Sequence, residues 1–266
     1  TPELVLAIDW GGIRVLKKQG TTWIEAEQPL RWPDSSPMRG RAPTLRQLSG
    51  WWNGISAGDF DGDGRMDLIA SNWGRNTRYE ERRDHPLRLY YGEFSGPGHL
   101  DVIESFFDTP RGMWVPWMHL GRVGAAIPDV AQRFPTFRAF AEAGLPQILG
   151  PLADKTPYLE AQWLESTVFL NKPDGFIPIP LPEEAQWSPA FGIAIADFDG
   201  DGAADFLKRP QAVGAPALEQ AGLRLHNGRA ANGALDQGHA PFGGSFRSGL
   251  AKQGGQHRGV RIDADA

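Results

Sequence analysis

An all-β chain built from repeated four-stranded units, a β-propeller or an incomplete piece of one, is what this sequence predicts, on three observations. The string D-F-D-G-D-G-x-x-D occurs twice, opening at Asp59 and at Asp197, each time between short apolar runs. A second unit, a short strand, a Gly-containing turn and an aromatic or another glycine, recurs as IRVLKKQGTTW, TVFLNKPDGF and LRLHNGRAANG. The third is the 33 glycines and 22 prolines among 266 residues, enough for many short strands joined by turns. Alternation of the two units gives about four strands per repeat, the pattern of propeller blades. A nonapeptide β-helix would need close tandem copies, which these widely spaced loops do not offer. A β-sandwich stays open as the alternative.

Taken in order, Leu4–Ile8, Ile13–Leu16 and Thr22–Glu25 read as a meander, turning at Gly11-Gly12 and at Lys18-Gln19-Gly20. Residues 31–48, rich in Pro, Ser and Arg, read as a surface loop. Ile55–Gly58 enters the first acidic loop and Leu68–Ser71 leaves it. The stretch 75–84 mixes four arginines with three acids and reads as a solvated connector. A hairpin follows at 87–107. Residues 111–160 break the β pattern, with a helical insertion around 126–149. Pro128 and Asp129 open a short helix, and Thr136 caps a second that carries Phe137, Phe140, Ala141, Leu145 and Ile148 at helical spacing. Strands resume at Gln162–Leu164, Thr167–Leu170, Phe176-Ile177, Gly192–Ala196, Phe206-Leu207 and Leu223–Gly228. The whole, 1–266, reads as a single domain with this insertion at about 111–160.

The acidic loops carry the chemistry. Asp59, Asp61, Asp63 and Asp67 in the first copy, and Asp197, Asp199, Asp201 and Asp205 in the second, crowd four carboxylates into nine residues. Such carboxylates repel one another unless a cation sits among them. Hard oxygens at alternating positions suit Ca²⁺, which takes six to eight oxygen ligands. The carbonyls of Arg65 and Ala203 would add a neutral oxygen to each shell, and Gly64 and Gly202 permit the bend. The plain alternative is an Asx-rich turn without metal. An EF-hand is excluded, because its twelfth position, a glutamate, is Ala70 or Lys208 here, and the flanks alternate as strands do. A worn copy offers Glu93, Ser95 and Asp101 as a weaker third site. GVRIDADA at 259–266 looks like a truncated copy, with Asp263 and Asp265 at alternating positions.

Composition narrows the function. A formal charge of −5 argues against a nucleic-acid partner, and two Ca²⁺ would bring it to about −1. There is no cysteine, hence neither disulfide nor thiolate metal site. No apolar run approaches the roughly 18–20 residues of a membrane span. The opening Thr1-Pro2-Glu3 is not a signal peptide, so the expectation is a mature, trimmed or partial chain. No H-x-x-x-H pair, P-loop or dinucleotide fingerprint is present, so an enzymatic role is open and not favoured. Ten tryptophans either pack between blades or stack on sugar rings.

The strings GISAGDFDGDGRMDLIASNWG and FGIAIADFDGDGAADFL resemble FG-GAP/VCBS repeats, the calcium-loop repeats of α-integrin-type propellers. NWGRNTRY, LYYGEF, LPEEAQWSP and GGQHRGV are similar to bacterial VCBS-repeat proteins related to the cartilage acidic protein group. The resemblance implies a calcium-binding propeller acting as an extracellular, cell-surface or periplasmic binding or scaffold module, with a protein or carbohydrate ligand. The alternative is a polysaccharide-active enzyme or its carbohydrate-binding propeller.

Overall fold

The computed structural model describes residues 3–79 and 85–197, together with the backbone of four strands beyond them. The chain divides into two compact units, Thr1–Glu81 with Leu164–Ala266, and Arg82–Trp163.

The first unit opens with β1 (Glu3–Ala7), β2 (Asp9–Gly11), β3 (Ile13–Gln19) and β4 (Thr22–Ala26). Strands β1, β3 and β4 form an antiparallel sheet in the order β1-β3-β4, so the expected meander is present. The segment between its first two strands does more than turn. β2 leaves the meander to pair with β5 (Gly50–Trp51), and Trp10 takes a left-handed φ of 57° between them, the only non-glycine to do so among the described residues.

Residues 31–48 are irregular and largely exposed, as expected of a surface loop, but part of the segment enters the core. Met38, Ala42, Leu45 and Leu48 are fully buried, and the backbone is satisfied piecemeal. Leu45 accepts from Ile13 N–H, Leu30 N–H donates to Pro43, and the Trp32 and Trp52 indoles donate to the carbonyls of Ala42 and Leu48. Apolar residues at irregular spacing, interrupted by proline, hid this burial from any periodic template.

β6 (Gly54–Gly58) and β7 (Asp67–Ser71) form the expected hairpin around the first acidic loop, with Gly58 opposite Asp67. The second unit follows. β8 (Leu87–Gly92) and β9 (Asp101–Asp108) make the expected hairpin, and β10 (Met113–Pro116) and β11 (Tyr158–Ala161) complete a four-stranded antiparallel sheet in the order β10-β9-β8-β11. Two strands therefore lie inside the stretch expected to lack them.

Helices α1 (Leu120–Ala126), α2 (Val130–Arg133), α3 (Phe137–Glu142) and α4 (Leu145–Leu149) connect β10 to β11. The helical part thus starts before the expected 126. Two glycines and an uncapped start hide α1, since glycine is a poor helix former. Thr136 caps α3 as expected, its hydroxyl oxygen accepting from Ala139 N–H at 3.1 Å. The continuous helix expected through Ile148 is instead broken where Ala143 turns extended; Gly144 starts α4, whose Gln147 side chain accepts from Gly144 N–H. The helices bury Val123, Val130, Phe140, Leu145 and Ile148 in a cluster with Tyr90 and Ile103 of the sheet, so their apolar faces form core.

Back in the first unit, β12 (Thr167–Lys172) and β13 (Gly175–Pro180) join the earlier hairpin in the order β13-β12-β7-β6. This four-stranded antiparallel sheet is blade-like, and its middle strands are separated in sequence by the whole second unit. Phe60, Ile69, Val168, Leu170 and Leu181 form its core. β14 (Ala190–Ala196), β15 (Asp205–Pro210), β16 (Gln220–His226), β17 (Phe246–Ala251) and β18 (His257–Asp263) form a further sheet in the order β14-β15-β16-β18-β17, in which β16 and β18 run parallel. The strand expected at Gln162–Leu164 is a single bridge at Trp163. The described architecture is mainly β, with one helical segment.

Candidate metal centre

The first acidic loop closes on its own backbone. Asp59 Oδ1 accepts from the N–H of Gly62 (2.7 Å) and Asp63 (3.2 Å), and Asp59 Oδ2 from Gly64 N–H (2.9 Å). Gly62 and Gly64 have φ of 72° and 81°, a region where other residues are strained, so glycine is required at these bends. Phe60 anchors the loop by entering the core at 2% exposure.

Asp67 is fully buried and joins two elements. Its Oδ2 accepts from Phe60 N–H (2.9 Å) and its Oδ1 from Asn171 N–H (2.7 Å). The β7–β12 ladder ends at the pair Leu68 with Phe169, and the Asp67 carboxylate takes the next inward-facing donor of β12. Asn171 also donates from Nδ2 to the Met66 carbonyl (3.1 Å) and accepts at its own carbonyl from Arg65 Nε (2.6 Å).

Asp59, Asp61 and Asp67 bring one carboxylate oxygen each to within 4.8 Å of one another. Asp63 is not in that group. Its carboxylate binds the Lys172 ammonium at 2.8 Å and the Arg65 guanidinium, and Lys172 also bonds Asp61. Lys172 and Asn171 are the site residues that the sequence did not indicate. They lie over a hundred positions from the loop, and only strand pairing brings them back.

Burial raises the Asp67 carboxyl to about 6, against hydrogen bonds from Asn171 and Phe60 and with the help of the Asp61 and Asp63 charges. The Lys172 hydrogen bond holds Asp63 below the usual carboxylate range. Burial pushes Lys172 down, but its bonds to Asp61 and Asp63 outweigh this and leave it raised. In calcium-free protein the proton on Asp67 is therefore held more tightly folded than unfolded. Its contribution to stability is full below about pH 4 and is lost as pH rises through about 6. Metal binding has the opposite sign, because a ligand must lose its proton. A metal ion that took Asp67 as a ligand would have to displace this proton, so its binding would weaken as pH falls through about 6.

The worn copy keeps the same frame. The Ser95 hydroxyl and N–H both donate to Asp101 Oδ2, at 2.7 and 2.8 Å, and this pulls the Asp101 carboxyl down. A serine hydroxyl thus closes the turn, and Glu93 is exposed. In both turns a glycine two residues before a phenylalanine lies against its ring, Gly58 under Phe60 and Gly92 under Phe94. That Gly-acid-Phe start was a readable signal. Of the second copy, Asp197 is exposed after β14 and Asp205 opens β15 opposite Ala196; Asp199, Asp201 and Ala203 lie outside the described residues. Asp263 ends β18, and Asp265 lies outside them too.

Residues 51–76 match the family model described as FG-GAP repeat, and the match spans β6, the acidic loop and β7. The chain carries an FG-GAP repeat. The same comparison with curated proteins and with solved structures finds no match. The FG-GAP segment therefore coincides with the loop where the three carboxylates converge.

The donor set of this repeat fits a hard dication. Asp59, Asp61 and Asp67 gather around one point, and the Lys172 ammonium lies against Asp61 of that group and against Asp63 beside it.

Proposed function

We propose that the protein is a calcium-binding module of the β-propeller type that works outside the cytoplasm, on a cell surface, in the medium or in a periplasm, and presents its blades to a protein or carbohydrate ligand. The convergence of Asp59, Asp61 and Asp67 inside the FG-GAP repeat is the observation that carries this reading. In it Asp59, Asp61, Asp63, Asp67 and the Arg65 carbonyl hold one Ca²⁺. The 197–205 loop, with Asp197, Asp199, Asp201, Asp205 and the Ala203 carbonyl, holds a second by the same spacing. The worn turn closes through Ser95 and Asp101 and needs no ion for its shape. Calcium among so many carboxylates has its charge largely neutralised, so it acts as a clip between strands.

Among the described residues no helix is long and apolar enough to cross a membrane. A carbohydrate ligand has one observation in its favour. Trp73, stacked on Trp51 at 4.3 Å, meets the half-exposed Phe191 edge-on, and Trp187 nearby in sequence is also half-exposed.

Scanning calorimetry tests the calcium reading. Ca²⁺ in hundredfold excess over Kd should stabilise the protein by about 2.7 kcal/mol per site, and chelator should remove that gain. Asp61→Ala should abolish the share of the first site. A melting temperature indifferent to both calcium and chelator would sink the proposal.

A further inference from the structure

We propose that Lys172 is a tethered counter-ion of the acidic loop, competing with calcium for Asp61 and Asp63 and thereby setting the affinity of the site. The inference rests on the calcium reading above and concerns how that site is regulated.

Lys172 is the last residue of β12, paired with Gly175 across a tight turn. Its ammonium bonds Asp61 Oδ2 and, at 2.8 Å, Asp63 Oδ2; the Asp61 side chain is only 9% exposed. This presentation is built into the fold. The preceding residue is locked onto the loop by its N–H to Asp67, its Nδ2 to the Met66 carbonyl and its carbonyl to Arg65 Nε. Lys172 therefore leaves β12 directly above the carboxylates.

A calcium ion that used Asp61 and Asp63 would need the lone pairs that the ammonium occupies. A dication and an ammonium a few ångströms apart also repel. One must yield, and the lysine can, because its four-carbon stem is flexible. Arg65 is less free, being committed to both the Asn171 carbonyl and Asp63. Without calcium, Lys172 neutralises part of the loop charge and keeps the loop folded against β12. With calcium, it is displaced toward solvent. The site then exchanges a tethered monocation for a free dication, and its calcium affinity is lower than the carboxylates alone would give.

The test compares wild type with Lys172→Met and Lys172→Arg, using calcium titration calorimetry and melting in chelator. Lys172→Met is expected to bind calcium about tenfold tighter, since charge-assisted hydrogen bonds to the loop no longer oppose binding. It should melt lower than wild type in chelator, and the gap should close in saturating calcium. Lys172→Arg, which keeps the charge, should stay within about threefold of wild-type affinity. Equal or weaker calcium binding by Lys172→Met would overturn the proposal and leave the calcium site standing. A second measurement needs no variant: reductive methylation of wild type, read by mass spectrometry against the exposed Lys18, should label Lys172 more in calcium than in chelator. Equal labelling overturns the proposal. If wild type binds no calcium in the titration, the calcium reading itself fails and this one falls with it.

Discussion

Asp67→Ala should cost about 4 kcal/mol of stability in calcium-free buffer, far more than loss of any other carboxylate in the acidic loop. The carboxylate is fully buried and holds two backbone donors, Phe60 N–H and Asn171 N–H. Alanine leaves both without an acceptor, at roughly 1–3 kcal/mol for each buried unsatisfied group. The damage then spreads along two elements. Phe60 holds the loop in the core, and Asn171 holds the end of β12 where the ladder has stopped. Relief of the repulsion with Asp61 and Asp63 offsets part of this loss, because that repulsion helps raise the Asp67 carboxyl. Asp67→Asn separates the contributions. It keeps the shape and one good acceptor but turns an amide N–H₂ toward the other donor, so about half the loss is expected. Urea unfolding in chelator measures both. A loss below about 1 kcal/mol for the alanine variant would mean that water or a rearranged loop replaces the carboxylate.

Asp67 also marks the border between what could and could not be read from the sequence. Everything within the loop is local: the alternating carboxylates, the glycine bends and the flanking strands follow from nine residues and their neighbours. The same holds for the Thr136 cap, which depends on a side chain three residues from its donor. The partners of the loop were hidden because they are distant. Asn171 and Lys172 reach it only after the chain has built the whole of Arg82–Trp163 between β7 and β12. No spacing rule spans that distance, and Lys172 in NKPDG reads as an ordinary turn lysine. Strands β10 and β11 were lost for a related reason. Each is four residues long and is held by a neighbour already in the sheet, so its own pattern need not be strong.

Gly12→Ala is expected to destabilise the first unit by about 3 kcal/mol or more, for a reason the sequence conceals. Gly11-Gly12 reads as a flexible turn, where alanine would be a mild change. In the structure a Cβ on Gly12 would lie 1.9 Å from the carbonyl oxygen of Arg46 and 2.4 Å from its carbonyl carbon. The obstacle is backbone and cannot rotate away. It cannot easily retreat either, because the segment that carries it is part of the core. Leu45 and Leu48 on either side are buried, Ile13 N–H donates to the Leu45 carbonyl, and Trp52 holds the Leu48 carbonyl. Making room would pull Leu45 and Leu48 from their sites or break β3 from the segment it leans on. Gly20 is the control. It is also a turn glycine, with φ of 59°, but a Cβ there would meet nothing within 4 Å. Gly20→Ala should therefore cost only the left-handed strain, about 1 kcal/mol. If the two variants melt at the same temperature, the 31–48 segment does not pack against Gly12 in solution. If Gly12→Ala alone melts far lower, a stretch that composition marks as loop is part of the scaffold on which the acidic loop is built.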